Sequence, residues 1–236
     1  MGNFIEYLTI RWEEVHDASR SKYPFDLPAV RAIERMDFHA PCTFFIGENG
    51  SGKSTVLEAI AVAMGFSAEG GTTGHMFSTH NTHSPLHEHV FLKRGLERPA
   101  DTFFLRSETL YNVATYVREA GGSRYGRLHG RSHGEAFLEI ANGLREQGLY
   151  LMDEPEAALS PRRQLAFLMR MDDLVKQGSQ FIIATHSPII LAFPHARLFQ
   201  FGENGIEETR YEDTEHYQVT RDFLLNPEVY LKHLAT

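Results

Sequence analysis

The sequence predicts an α/β fold, with a mostly parallel central sheet, helices on both faces and a small antiparallel β portion. Two observations carry this. Apolar runs at Phe44–Ile46, Leu149–Met152 and Gln180–Ala184 have the length of buried strands, and each leads into polar residues followed by helix-forming sequence. The first run opens the stretch Thr43 to Thr55, TFFIGENGSGKST, which reads as strand, glycine-rich loop and helix.

Taken in order, Asn3 to Trp12 (NFIEYLTIRW) mixes β-branched and aromatic residues with partial alternation, so a strand near the sheet edge is expected. Pro24 and Pro28 break any helix over Ser19 to Pro28 and leave a loop. Tyr23 and Phe25 on that loop fit two uses, stacking on an adenine ring or packing the loop onto the domain, and aromatics are mostly core material. Ala29 to Met36 has room for a short helix or turn. Gly47, Gly50 and Gly52 then let the backbone curl so that N–H groups point inward, and the helix from Ser54 to Met64 adds the positive end of its dipole. The resulting cradle for a di- or triphosphate comprises Gly47, Asn49, Gly50, Ser51, Gly52, Lys53, Ser54 and Thr55. Lys53 would reach the β- and γ-phosphates and the Ser54 hydroxyl would hold Mg²⁺. A glycine turn capping a helix with an exposed lysine is the plainer alternative.

Ser67 to Pro99 is rich in Gly, His, Ser and Thr, and reads as an irregular insertion near the nucleotide. It holds His75, His80, His83, His87 and His89. His83 and His87 have the spacing of a helical metal pair, but Pro85 interrupts it and no Cys is near, which favours surface or hydrogen-bonding histidines. Thr102 to Leu105 is a short apolar run. A helix is expected from Glu108 to about Glu119, ended by Gly121-Gly122 and followed by the basic stretch Arg124 to Arg131. Ser132 and Glu135 form a capping box, so a helix should run from there to about Arg145 and bury Phe137, Ile140, Ala141 and Leu144.

Leu149 to Met152 delivers Asp153 and Glu154 at a strand end, where ligands of parallel sheets sit. Adjacent carboxylates repel unless a cation or shared proton compensates, so Asp153 is expected to hold Mg²⁺ while Glu154 polarises the attacking water. A plain surface acid pair is the alternative. Ser160-Pro161 reads as an N-cap with Pro at the first helical position, and Leu165, Leu168, Met171 and Val175 give that helix a stripe ending at Gly178. Gln180 to Ala184 is a buried strand with Thr185-His186-Ser187-Pro188 at its end, where His186 would meet the γ-phosphate or the water. Arg197 to Phe201 and Ile206 to Arg210 flank a glycine turn as a hairpin. Short helices are expected at Glu215 to Leu225 and, after Asn226-Pro227, to Leu234.

At 236 residues with 42% hydrophobic content, one domain over residues 1–236 is expected, with about 109–147 as a short helical subdomain. The net charge of −8 argues against a generic nucleic-acid coat and leaves room for a local basic groove. The single Cys42, beside an apolar strand, suits a reducing cytoplasm and reads as a core residue rather than a reactive thiol. No apolar run approaches the ~18 residues of a membrane span, and charges stand where a signal peptide needs an apolar core, so a cytoplasmic protein without membrane insertion is expected.

Together these stretches resemble the ABC-type ATPases, specifically the stand-alone branch often labelled AAA-family ATPases and related to SMC and RecF-like ATPase heads. GENGSGKST is similar to the Walker A loop, LYLMDEP to the Walker B strand with its catalytic glutamate, and ATHSP to the switch-histidine loop. SHGE, Ser132 to Glu135, resembles a variant LSGGQ signature; Arg106-Ser107-Glu108 falls at the Q-loop and Ala158 to Pro161 at the D-loop. The resemblance implies the P-loop NTPase fold of ABC-ATPase type, ATP and Mg²⁺ as ligands, and Lys53, Glu154 and His186 as catalytic residues. It also implies Glu108 as a metal contact beside Ser54 and Asp153, although the family has glutamine there. His133 stands where a second glycine is common. Because signature residues act across a dimer interface, the resemblance implies a homodimer with ATP sandwiched between subunits, Ser132 and Gly134 of one covering the γ-phosphate held by the other. Glu108 and Ser132 are too close to enclose the coiled coil of SMC proteins, so the helical insertion is very short.

Mg-dependent ATP hydrolysis is therefore the leading expectation. The alternative is an ATP-gated clamp or regulator acting on nucleic acid or a protein partner in stress or phage defence, with hydrolysis only as reset. Arg124, Arg127 and Arg131 would touch phosphates in that case or simply flank the signature loop. A small-molecule kinase would not need Asp153-Glu154 together with His186, and no guanine-reading Asn-Lys-x-Asp segment is present.

Overall fold

The computed structural model describes residues 2–72, 84–106 and 133–232. Within them the chain forms β1 (Ile5–Ile10), β2 (Met36–Asp37), β3 (Cys42–Gly47), β4 (Val90–Arg94), β5 (Asp101–Arg106), β6 (Gly148–Asp153), β7 (Gln180–Ala184), β8 (Arg197–Gly202) and β9 (Gly205–Thr209). One sheet runs β5-β6-β7-β3-β8-β9. Its neighbours are parallel up to β8, and β9 closes the edge as the antiparallel half of the expected hairpin. The α/β expectation of a mostly parallel sheet holds.

Strands β3, β6 and β7 are buried at every position. A strand apolar on both sides must be covered on both sides, and side-chain alternation divides it between two cores. Phe45, Leu149, Leu151, Ile182 and Ala184 face one core with Val56, Leu57 and Ile60 of the helix Lys53–Ala63. Phe44, Ile46, Tyr150, Met152, Phe181 and Ile183 face the other, packed on the helices His133–Gly143 and Pro161–Lys176. The expected Phe137, Ile140, Ala141 and Leu144 are all buried there. Cys42 is fully buried and unpaired, and burial pushes its thiol pKa up. No helix among the described residues is long and apolar enough to cross a membrane.

Three expectations need correction. The strand over Asn3 to Trp12 does not lie at the edge of the parallel sheet. As β1 it is the middle strand of a separate antiparallel sheet, β2-β1-β4. The second correction follows from the first, because β4 comes from the stretch read as an irregular insertion. Val90–Arg94 pairs along β1, a long-range partner that the composition of residues 67–99 could not show. The third concerns the helix Pro161–Lys176: of its expected stripe Met171 is buried and Leu168 and Val175 pack partly buried against the core, but Leu165 is 55% exposed and Gln164, Phe167 and Leu174 complete the buried face. Gln164 explains the rotation: its amide donates to Leu159 O (3.1 Å) and its Oε1 accepts from Ser187 Oγ (2.5 Å). A polar side chain with both ends satisfied can sit in a core, and a hydropathy stripe cannot see it.

The two sheets are joined by another amide. Gln180, at the start of β7, accepts from Ile5 N and donates to Ile5 O, each at 2.9 Å. The small sheet is thus hydrogen-bonded to the strand that ends at Ala184, two residues before His186.

Candidate functional site

The register of the parallel sheet puts three strand tips level: Phe45 lies beside Ala184, and Ala184 beside Asp153. The Walker A stretch, the acid pair and the Thr185-His186 loop therefore emerge side by side. Two backbone bonds lock the tips together, Thr185 N to Phe45 O (3.1 Å) and Glu154 N to Ala184 O (2.8 Å).

The phosphate cradle starts at Gly47, whose φ of 141° and close approach to β8 leave no room for a side chain; a Cβ there would lie 2.2 Å from Phe201 O. Gly50 and Gly52 also take positive φ, 82° and 102°. Between them, Asn49 lines the cavity described below, and Ser51 Oγ is buried without a hydrogen-bond partner among the described residues. The helix begins at Lys53. Lys53 is 4% exposed, and its ammonium donates to the loop's own carbonyls, Gly47 O (2.7 Å) and Glu48 O (2.8 Å). Burial holds the Lys53 pKa below the usual lysine range, against the opposing pull of Glu154, Asp153 and Glu156. Thr55 Oγ1 lies 3.1 Å from the hydroxyl of Tyr23, which is exposed at the rim of the cradle. Phe25 has the other fate foreseen for the pair: it is buried and packs edge-on against Trp12 and His89.

Ser54 and Asp153, ninety-nine residues apart in the chain, meet at 2.9 Å, the hydroxyl donating to Asp153 Oδ1. Asp153 is buried, and desolvation pushes its pKa up to about 6, with Ser54 and Arg106 opposing. Arg106, its register neighbour on β5, is committed to Glu58 at 2.7 Å. A buried carboxylate short of positive charge next to a hydroxyl, at a helix N-terminus, suits a hard divalent cation. No group of three or more His, Cys, Asp or Glu side chains with metal-site geometry occurs among the described residues.

Glu154 takes a left-handed backbone conformation, φ 48° and ψ 54°, unusual for a residue with a side chain. Its Oε1 lies 3.6 Å from His186 Nε2. Burial, with the Lys53 charge and His216 adding to it, pulls the His186 pKa down, while Glu154 pulls the other way. These side chains, with Glu48, Asn49, Glu215, His216, Val219 and Thr220, line an open cavity of about 600 Å³.

Two site residues escaped the sequence reading. Glu156 is half-buried, and its Oε1 accepts from His186 N at 2.5 Å, fixing the loop that carries the histidine. Desolvation raises its carboxyl pKa, offset in part by that bond. His216, from the helix Glu215–Leu225, places Nε2 3.1 Å from His186 Nδ1. Glu156 follows the acid pair by two residues and was legible as a third carboxylate; nothing local marks His216.

The helix His133–Gly143 begins where a capped helix was expected, and Glu135 pairs with Arg163 at 3.4 Å. Gly134 is packed inside its own chain: a Cβ would lie 2.4 Å from Arg163 Nη1 and 2.5 Å from Ala158 O. It is not among the cavity's lining residues. Ser132 and Glu108 lie outside the described residues, as do His75, His80, His83, Arg124, Arg127 and Arg131. His87 Nδ1 is 2.9 Å from Ser84 O.

Residues 29–118 match a family model described as AAA domain. Residues 125–192 match a second AAA domain model, whose description adds AbiEii toxin and Type IV TA system. The chain is similar to AAA-type domains. The first matched stretch contains residues 43–55, and the second contains Asp153, Glu154 and His186. No curated protein matches the chain. Among solved structures, the chain is similar to cbiO1 from Clostridium perfringens, part of the ABC transporter complex cbiONQ, at 14% identity and TM-score 0.47, covering 84% of this chain and 89% of that one. The SMC head domain from Thermotoga maritima matches at 12% identity and TM-score 0.48, over 87% and 98% of the two chains. An ATP-binding cassette of an ABC transporter in its ADP conformation matches at 18% identity and TM-score 0.46, over 86% and 91%.

Proposed function

We propose that the chain hydrolyses ATP with Mg²⁺, and that ATP closes two copies into a sandwich. The observation that supports this best is the meeting, at adjacent strand tips, of Lys53, the Ser54–Asp153 pair and the Glu154–His186 pair beside one open cavity.

In this reading the loop N–H groups and the N-terminus of helix Lys53–Ala63 bind the phosphates. Lys53 exchanges its carbonyl partners for the β- and γ-phosphate oxygens and neutralises charge there. Ser54 and Asp153 hold Mg²⁺, which when bound neutralises developing charge on the phosphates. Glu154 orients the attacking water and accepts its proton as the water oxygen bonds to the γ-phosphorus and the β–γ bridging bond breaks, releasing ADP and phosphate. His186 donates a hydrogen bond from Nε2 to the γ-phosphate or the water. Gly134 and Ser132 act on the partner's nucleotide.

The test is phosphate release from ATP by the full chain with Mg²⁺, alongside Lys53→Ala and Glu154→Gln. Loss in both variants, with an ATP-bound dimer of Glu154→Gln on a sizing column, is expected. Ordinary turnover by Glu154→Gln removes Glu154 from its role. In the clamp alternative the wild-type dimer forms with ATP but turns over only with its partner bound.

A further inference from the structure

The contact between His186 and His216 is a hydrogen bond between two imidazoles, at 3.1 Å with ring centroids 5.2 Å apart. Burial pulls both rings below the usual histidine pKa, and the nearby Lys53 charge adds to it, which favours the neutral form of each. A neutral imidazole carries one N–H. The shared contact therefore contains one proton, and which ring supplies it decides what the outer nitrogens present.

The outer nitrogens, His186 Nε2 and His216 Nδ1, are buried and have no hydrogen-bond partner among the described residues. If His186 donated from Nδ1, its bare Nε2 lone pair would face the Glu154 carboxylate at 3.6 Å, and His216 would hold an unpaired buried N–H. If His216 donates instead, His186 carries its proton on Nε2 and turns a donor toward that carboxylate. Electrostatics selects the second arrangement.

The fold holds His216 in place for this. It is the second residue of the helix Glu215–Leu225, whose N-cap Thr214 accepts from Tyr217 N (3.3 Å) and donates to Tyr211 O (2.7 Å). Tyr211 in turn donates to Pro188 O (2.9 Å), two residues beyond His186. A helix N-terminus also disfavours an imidazolium, which keeps His216 in the form that has one donor and one acceptor.

We propose that His216 is a positioning residue for His186: its Nε2–H donates to His186 Nδ1 and so keeps the ring proton of His186 on Nε2, the atom that faces Glu154 and the nucleotide cavity. The catalytic value of this rests on the ATPase reading above, but the proton arrangement does not.

The experiment has two arms. Spectra of the full chain with ¹⁵N-labelled histidine, at pH 8 and without nucleotide, read the tautomer directly. His186 should show a protonated Nε2 and a bare Nδ1, and in His216→Phe a mixture. The second arm is ATP turnover. His216→Phe should lose about tenfold to a hundredfold in kcat, the usual range for removing an orienting partner, with KM for ATP changed less than about threefold. His216→Gln, whose amide N–H stands in for Nε2–H, should recover to within about threefold of wild type. A wild-type His186 protonated on Nδ1, or a Gln variant as slow as the Phe variant, overturns the proposal. If the wild-type chain releases no phosphate from ATP, the functional reading fails, and the labelled spectrum still decides the proton arrangement.

Discussion

Replacing Asp153 by Asn should stabilise the fold in the absence of Mg²⁺ while removing activity. Asp153 titrates near 6 in the folded chain against 3.8 for an unperturbed Asp, because burial disfavours the carboxylate more than Ser54, Arg106 and Lys53 favour it. At low pH both states hold the proton. As pH rises the unfolded chain releases it first, so the Asp153 contribution to stability falls between about pH 4 and pH 6 and is flat above. A difference of about two pKa units corresponds to about 3 kcal/mol. Asn keeps an oxygen to accept the Ser54 hydroxyl and carries no charge, so Asp153→Asn should recover about 1 to 3 kcal/mol at pH 8. Urea denaturation with chelator, at pH 4.5 and pH 8 for both proteins, measures this. Asp37 and Glu208, held below their usual range by Arg35 and Arg197, act in the opposite direction, but they cancel in the comparison of variant with wild type. Mg²⁺ with ATP should stabilise wild type and leave the variant nearly unmoved. An Asn variant less stable than wild type at pH 8, or equal to it at both pH values, would refute the claim that this carboxylate is buried without adequate compensation.

Glu154→Gln should lower kcat by about 10² to 10⁴, the range for losing a general base, with stability unchanged within about 0.5 kcal/mol because the side chain is partly exposed. Gly47→Ala forces a Cβ against Phe201 O at a positive φ, so a loss of about 2 to 5 kcal/mol in urea melts is expected. Glu156→Ala strips the His186 amide of its acceptor. It should cost about 1 to 3 kcal/mol and reduce turnover more than ATP affinity, read by melts, nucleotide titration and phosphate release.

The site was legible where the chemistry is written in consecutive residues. Glycines followed by Lys53 and Ser54, an apolar run ending in Asp153-Glu154, and another ending in Thr185-His186 each announce a strand tip, and the parallel register brings the three level. What the sequence hid was long-range pairing. Nothing near Val90 says that it will lie along Ile10, and nothing near His216 says that its ring will meet His186. Gln164 misled because it is a polar residue buried with both ends of its amide satisfied; Gln180, rightly read as the start of a buried strand, is held the same way, by a partner remote in sequence. The adenine question was divided by burial, Phe25 going to the core and Tyr23 to the rim.

The Gln180 amide makes the small sheet mechanically audible at the reaction centre. From Gln180 to Ala184 the strand spans roughly 13 Å at the usual rise per residue, and the histidine follows two residues beyond its far end. A shift of Ile5 on β1 would strain two hydrogen bonds to the start of that strand. The antiparallel sheet is thereby anchored, through one side chain, to the strand that leads to His186.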